Sequence, residues 1–125
     1  MPLHCEEDNQ GNYTDSFNGA FCPKFHYTIE LIGKRWTGAI IHIIMADTRR
    51  FHDIRDMIPQ VSDRMLSERL KELEQAGLIQ RTVYPETPVR IEYSISEKGL
   101  ALKPVMDEIS TWSATHVSQE DLSKF

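Results

Sequence analysis

The apolar positions between residues 61 and 95 change period once, from helical to alternating. Leu66, Leu70 and Leu73 fall at i, i+4 and i+7, the spacing that lines one face of an α-helix. Ser62 stands before them as a good N-cap, and Asp63 suits the positive end of a helix. Arg64, Ser67, Glu68 and Lys71 fall on the opposite side. Gly77 is placed to end the helix in a left-handed cap. Residues 78–84 and 89–95 then read as two strands with Pro85 and Pro88 in the turn between them. In the second, Val89, Ile91, Tyr93 and Ile95 share one side, and Arg90, Glu92 and Ser94 the other.

The same reading organises the rest of the chain. Phe25, Ile29 and Ile32 form a stripe after Pro23, which is favoured at the first helical position and makes Cys22 the N-cap; Gly33 ends this helix. Residues 36–46 are apolar almost all round and predict the central buried helix, with Trp36 as a core anchor. Asp47-Thr48 breaks it. Phe51, Ile54 and Ile58 mark a short helix closed by Pro59, so residues 51–58 and 62–76 make a helix-turn-helix pattern. Ser94 or Ser96 caps the last helical region. There Leu102, Val105, Met106, Ile109 and Trp112 form a stripe that Pro104 should kink or split.

The stripe from Leu102 to Trp112 is longer than one small domain needs. It predicts a dimer surface, shared with the Phe25 and Ile29 face; packing onto the chain's own core is the alternative. The expected fold is mainly α with a small β-hairpin wing: a dimeric winged helix-turn-helix. Residues 1–20 are expected to be a flexible arm, 21–117 the domain with its terminal dimerisation helices, and 118–125 a frayed tail.

This architecture suggests contact with duplex DNA, with the helix from Ser62 in the major groove and the ribbon against the flanking backbone. On that reading Arg64, Ser67, Glu68 and Lys71, with Ser62 at the helix start, face the groove. Arg49 and Arg50, just before the helix-turn-helix, are placed to meet phosphates. Arg90, beside the turn, could reach a minor groove. For Arg49 and Arg50 ordinary surface solvation is the alternative.

Charge complicates this picture. The 125 residues carry a net charge of −5, which taken alone argues mildly against DNA binding. Residues 1–20 hold four acids and no Lys or Arg, while residues 21–117 hold 13 basic and 13 acidic residues. DNA binding by a neutral domain must rest on the placement of a few cations. With 40% hydrophobic residues, one modest core is expected. No apolar run approaches the roughly 20 residues of a membrane span, and the acidic start does not resemble a signal peptide. A cytoplasmic location is therefore expected, where two cysteines are more often free thiols than a structural disulfide.

Candidate chemistry narrows to those cysteines. There is no GxGxxG, P-loop or GxSxG, and no ligand partner stands at metal spacing from His42. No enzyme activity, metal or cofactor is expected. Cys22 at a helix N-terminus feels the positive end of the helix dipole, which favours the thiolate; an ordinary half-buried cysteine is the alternative. Reach does not exclude Cys5, 17 residues earlier on the expected arm, which is either a resolving thiol or a bystander. An electrophile adduct, a disulfide to Cys5 or to a cysteine of a second subunit, and a mixed disulfide are the products open to Cys22.

Over roughly residues 21–116 the chain resembles the HxlR-type winged helix-turn-helix regulators of bacteria. The resemblance rests on Cys22-Pro23, on Gly33-Lys34-Arg35-Trp36, on Arg50-Phe51, and on Ser62 followed by Leu66, Leu70, Leu73-Glu74 and Gly77-Leu78-Ile79. Its most specific part is Arg81-Thr82-Val83-Tyr84-Pro85-Glu86-Thr87-Pro88-Val89-Arg90-Ile91-Glu92-Tyr93-Ser94, and Gly99 and Pro104 fit as well. It implies a homodimer on a palindromic operator, with the Ser62 helix for recognition and the turn from Tyr84 to Arg90 as the wing. Several members sense electrophiles, quinones or oxidants through a cysteine at the position of Cys22. Two features depart from the pattern: Gly-Gly-Lys-Trp is usual where Gly33-Lys34-Arg35-Trp36 stands, and the arm before Cys22 is longer and carries Cys5. The expected function is transcriptional regulation with Cys22 as sensor. The alternatives are a DNA-binding regulator controlled by a small ligand or by none, and a winged helix used only for protein docking.

Overall fold

The computed structural model describes residues 21–124. The chain divides after Gly38 into two compact units. In the first, helix α1 (Pro23–Ile32) starts at Cys22, whose sulfur accepts a hydrogen bond from the Phe25 amide at 3.4 Å. Pro23 occupies the first turn, and Gly33 closes the helix by donating to the Ile29 carbonyl. Helix α2 (Thr37–Ala46) follows and runs across the boundary between the units. Trp36 lies just outside it, against expectation. Its φ of 75° is left-handed, uncommon for a bulky residue, and it falls in the short link between α1 and α2, where the Thr37 amide reaches the Lys34 carbonyl. Trp36 is half-buried with the Arg35 guanidinium 5.1 Å from its ring centre.

The second unit holds the core. Ile40, Ile41 and Ile44 of α2 are fully buried, as are Ile54 of α3 (Phe51–Met57) and Leu66, Leu70 and Leu73 of α4 (Asp63–Gln75). The leucine stripe of α4 is thus the core face. Its first turn is capped by the Ser62 hydroxyl, which accepts from the Met65 amide at 3.1 Å. Strands β1 (Ile79–Tyr84) and β2 (Arg90–Ile95) form an antiparallel hairpin, in register from Ile79 opposite Ile95 to Tyr84 opposite Arg90. Arg49 adds a one-residue bridge to β2: its amide and carbonyl exchange hydrogen bonds with Tyr93 at 2.9 and 2.7 Å.

The junction between α4 and β1 is densely bonded. Gly77 takes φ +80°; its amide donates to Glu74 and the Leu78 amide to Leu73, the paired bonds of a Schellman cap. The start of α5 (Glu97–Leu100) satisfies the carbonyls left over. Ser96 Oγ donates to Gly77 O at 2.6 Å, Lys98 Nζ to Ala76 O at 2.9 Å, and the Ser96 amide to Leu78 O at 3.0 Å. Gly99 sits so close that a Cβ there would overlap the Leu78 carbonyl oxygen and lie 2.7 Å from Ile95 Cδ1.

Pro104 splits the last helical region, and α6 (Lys103–His116) begins one residue before it. No residue of α6 is buried, and Val105, Ile109 and Trp112 are exposed. The tail at 118–125 is expected to fray; within its described part, Ser118 and Asp121 form a capping box on the single turn α7 (Gln119–Leu122), local side-chain bonds without tertiary burial. Among the described residues no helix is long and apolar enough to cross a membrane.

Gly99→Ala should destabilise the fold by about 3 kcal/mol or more, since backbone cannot yield as a side chain can. Gly77→Ala should cost about 1–2 kcal/mol, the strain of a left-handed residue with a Cβ. Urea denaturation of both variants checks the order.

Candidate nucleic-acid interface and cysteine site

Helices α3 and α4 form the helix-turn-helix. Arg55 and Asp63 meet across the turn, Nη1 to Oδ2 at 3.5 Å, so an ion pair joins the two helices, and Ile54 on the first and Leu66 on the second are each buried. Because the leucines face inward, the side chains between them face out. Arg64, Ser67, Glu68 and Lys71 are all exposed. Arg64 extends furthest, at 91% side-chain exposure, with Glu68 Oε1 3.6 Å from its Nε. Such a helix presents a hydroxyl and two cations, Arg64 and Lys71, on its exposed side. Arg69, which the apolar pattern did not single out, is tucked along α4 with its Nη1 on both Glu72 oxygens at 3.2 Å.

The structure treats the neighbouring arginines differently. Arg49 is half-buried: its backbone bridges β2 and its Nε donates to the Ile43 carbonyl at 3.3 Å, near the end of α2. Arg50 is exposed at the start of α3, where its amide donates to Asp53 at 2.9 Å. Only Arg50 of the pair presents itself as a surface cation.

At the wing, Arg90 stacks on Tyr84, its Cζ 3.9 Å from the ring centre. Nη2 and Nε reach the two oxygens of Glu86 at 2.9 and 3.3 Å, and Nη1 pairs with Glu92. The hydrogen bond from Arg90 holds the exposed Glu86 carboxyl below the usual carboxylate range. Hydrogen bonds to Glu86 and then Glu92 push the Arg90 guanidinium still further above its ordinary value. The sequence reading missed these partners. Register was the available signal: counting back from the turn sets Tyr84 opposite Arg90 and Thr82 opposite Glu92, all on one face.

Cys22 is buried, with 7% exposure, and caps α1 as expected. It does not carry the free thiol expected of it: the sulfur is in a disulfide. Cys5 lies outside the described residues, as does the whole of the arm at residues 1–20. The expected dimer residues Phe25 and Ile29 are exposed on α1, and Leu102 and Met106 are half-buried beside the exposed Val105, Ile109 and Trp112. Among the described residues no cluster of His, Cys, Asp or Glu could hold a metal ion.

An α3–α4 pair with an outward polar face, followed directly by a two-stranded ribbon, defines a winged helix-turn-helix protein. Comparison with known proteins places it more closely. The model of the HxlR-like helix-turn-helix family matches residues 31–121. The chain is 49% identical over 92 residues to the HTH-type transcriptional regulator YodB of Bacillus subtilis (strain 168), covering 74% of this chain and 82% of YodB. To YvaP of the same strain, an uncharacterized HTH-type transcriptional regulator, it is 48% identical over 92 residues, covering 74% and 85%. Among solved structures, the reduced form of YodB aligns with a TM-score of 0.72 at 45% identity, over 79% of this chain and 97% of that one. The redox regulator HypR in its oxidised form aligns with a TM-score of 0.71 at 30% identity, over 76% and 98%. The chain belongs to the HxlR-like helix-turn-helix family and is a transcriptional regulator of the helix-turn-helix type.

The wing cluster should be pH-sensitive with a definite sign. A carboxyl whose folded pKa is depressed stabilises the ionised, paired form above its unfolded value and loses that contribution as pH falls through the folded one. Order at the turn should therefore persist through the ordinary carboxylate range and fade only below it. A carboxyl NMR titration of Glu86 should show this, and Arg90→Ala should return Glu86 toward the usual value.

Proposed function

We propose that this regulator binds an inverted-repeat operator as a homodimer and that Cys22 couples binding to oxidants or electrophiles. The observation that carries the sensing half is the state of Cys22: the N-cap of α1, enclosed by protein and joined in a disulfide. A sulfur whose oxidation is compatible with this fold, at the positive end of a helix, can exist as a reactive thiolate when reduced. Oxidation takes two electrons from the Cys22 thiolate and a second cysteine thiol, with release of that thiol's proton, passes them to the oxidant, and so abolishes the Cys22 charge at the helix start. The relatives support the chemistry. YodB has been solved in reduced, diamide-treated and quinone-bound forms, and HypR in reduced and oxidised forms.

DNA recognition in this reading uses α4. Arg64, Ser67 and Lys71 enter the major groove, Glu68 orients Arg64, Ser62 fixes the start of the helix, and Arg50 and the wing meet flanking phosphates. The exposed apolar side chains of α6 supply the dimer surface, since Val105, Ile109 and Trp112 on one helix are costly to leave in water. Phe25 and Ile29, exposed on α1, also join the partner subunit in this reading, so a change at Cys22 alters how the protomers pair. A cytoplasmic location follows from this role.

Three outcomes are expected. Arg64→Ala should cost about 1–3 kcal/mol at the cognate site if it reads a guanine, and Lys71→Ala should reduce the salt slope by about 1; both are read by gel shift at several salt concentrations. Sedimentation at micromolar concentration should show a dimer, and Ile109→Asp should shift it toward monomer. Cys22→Ser should bind operator as well as reduced wild type but ignore diamide and quinones, whereas Cys5→Ser should keep at least part of the response. A Cys22→Ser protein that still responds would replace the sensor with a ligand-controlled or constitutive regulator.

A further inference from the structure

The wing arginine, placed against DNA by the reading above, is already fully engaged within its own protomer. Its guanidinium has three partners of different character. Tyr84 lies beneath it, its ring centre 3.9 Å from Cζ. Glu92, with 23% of its side chain exposed, takes Nη1 from the strand side. Glu86, with 54% exposed, takes the remaining edge, Nη2 and Nε, with both carboxylate oxygens. Tyr84 and Glu92 belong to strands and fix the plane of the guanidinium. Glu86 belongs to the turn and holds the edge that faces outward.

Two parallel N–H donors meeting two oxygens of one anion is also how an arginine binds a phosphodiester. A platform, an orienting acid and a forked donor edge therefore form a ready anion site, and Glu86 fills it. A second cation is felt there: Arg50, at the start of α3, also favours the ionised form of Glu86.

We propose that the Arg90 fork is a preformed subsite for one DNA backbone phosphate, and that Glu86 is a built-in competitor that must swing out before the phosphate can enter. The occupant is a phosphodiester of duplex DNA. The consequence is selectivity. On arbitrary DNA, where phosphate contacts supply essentially all the affinity, the wing gains little because each new contact replaces an existing ion pair. At an operator, α4 holds the duplex in place and phosphate displaces Glu86 at high local concentration. Glu86 thus lowers non-specific binding more than specific binding.

This inference rests on the DNA-binding reading, and its test separates the two. Full-length protein, reduced, is titrated onto a mixed-sequence duplex and onto operator at several salt concentrations, as wild type, Glu86→Gln, Glu86→Ala, Arg90→Ala and the Glu86→Gln/Arg90→Ala double variant. Circular dichroism melting confirms folding; Glu86 is exposed in a turn, so all should fold. Expected is a several-fold tighter grip on the mixed duplex for both Glu86 variants, with a smaller gain on operator. The salt slope should steepen by about 0.9 per protomer, one phosphate's worth of released counterion. The gain should vanish in the double variant. An equal gain with and without Arg90 would mean that only bulk charge had changed, and would overturn the proposal. So would unchanged affinity and slope in the Glu86 variants of a protein that otherwise binds DNA in a salt-dependent manner. A wild type with no salt-dependent binding to either duplex would overturn the DNA-binding reading and this subsite with it.

Discussion

The approach of Gly99 to the Leu78 carbonyl sets the geometry of everything that follows the core. At that contact three elements meet: the end of α4, the first residues of the hairpin and the start of α5. Each brings unsatisfied polar groups, because a helix leaves its last carbonyls unpaired. The Schellman bonds use the carbonyls of Leu73 and Glu74, while Ser96 and Lys98 take those of Gly77 and Ala76. The junction closes only because residue 99 has no side chain. Helix α4 and the hairpin therefore leave it in fixed directions, which is what the proposed match to a groove and a neighbouring phosphate requires.

Most of the fold could be read from the chain because its signals were local. Ser62, Cys22-Pro23 and Gly77 act within one helical turn of themselves, and the leucine stripe of α4 needs only helical periodicity. The hairpin was bounded to within a residue for the same reason. What escaped was non-local. The Arg49–Tyr93 bridge joins residues 44 positions apart, and no alternation marks a strand one residue long. Trp36 read as a core anchor on α2, but the link from α1 had to turn somewhere, and the turn took the tryptophan out of the helix.

The candidate site divides similarly. The outward face of α4 followed from the inward one, so Arg64, Ser67, Glu68 and Lys71 could be named together. Arg49 and Arg50 look alike in sequence, and only the bridge to β2 tells the half-buried one from the exposed one. Arg90 was recognised as a cation near a turn, while its partnership with Glu86 and Glu92 depends on how two strands lie side by side. Chain position alone could not tell whether Cys22 is a thiol or half of a disulfide, because that depends on where a second sulfur lies.

The Arg49 bridge has a consequence for solubility. It occupies the outer edge of β2 at Tyr93, but the outer edge of β1 carries no strand partner among the described residues. An open edge is a template on which any extended chain can add, including another copy of the same hairpin. Here the strand is only six residues long, Arg81 stands exposed in its middle, and Pro85 follows its end. A charge that would be stranded between stacked hairpins, and a residue with no amide to offer, make sheet-to-sheet growth unfavourable. The ribbon can thus stand out from the domain while presenting an edge that other chains do not readily join.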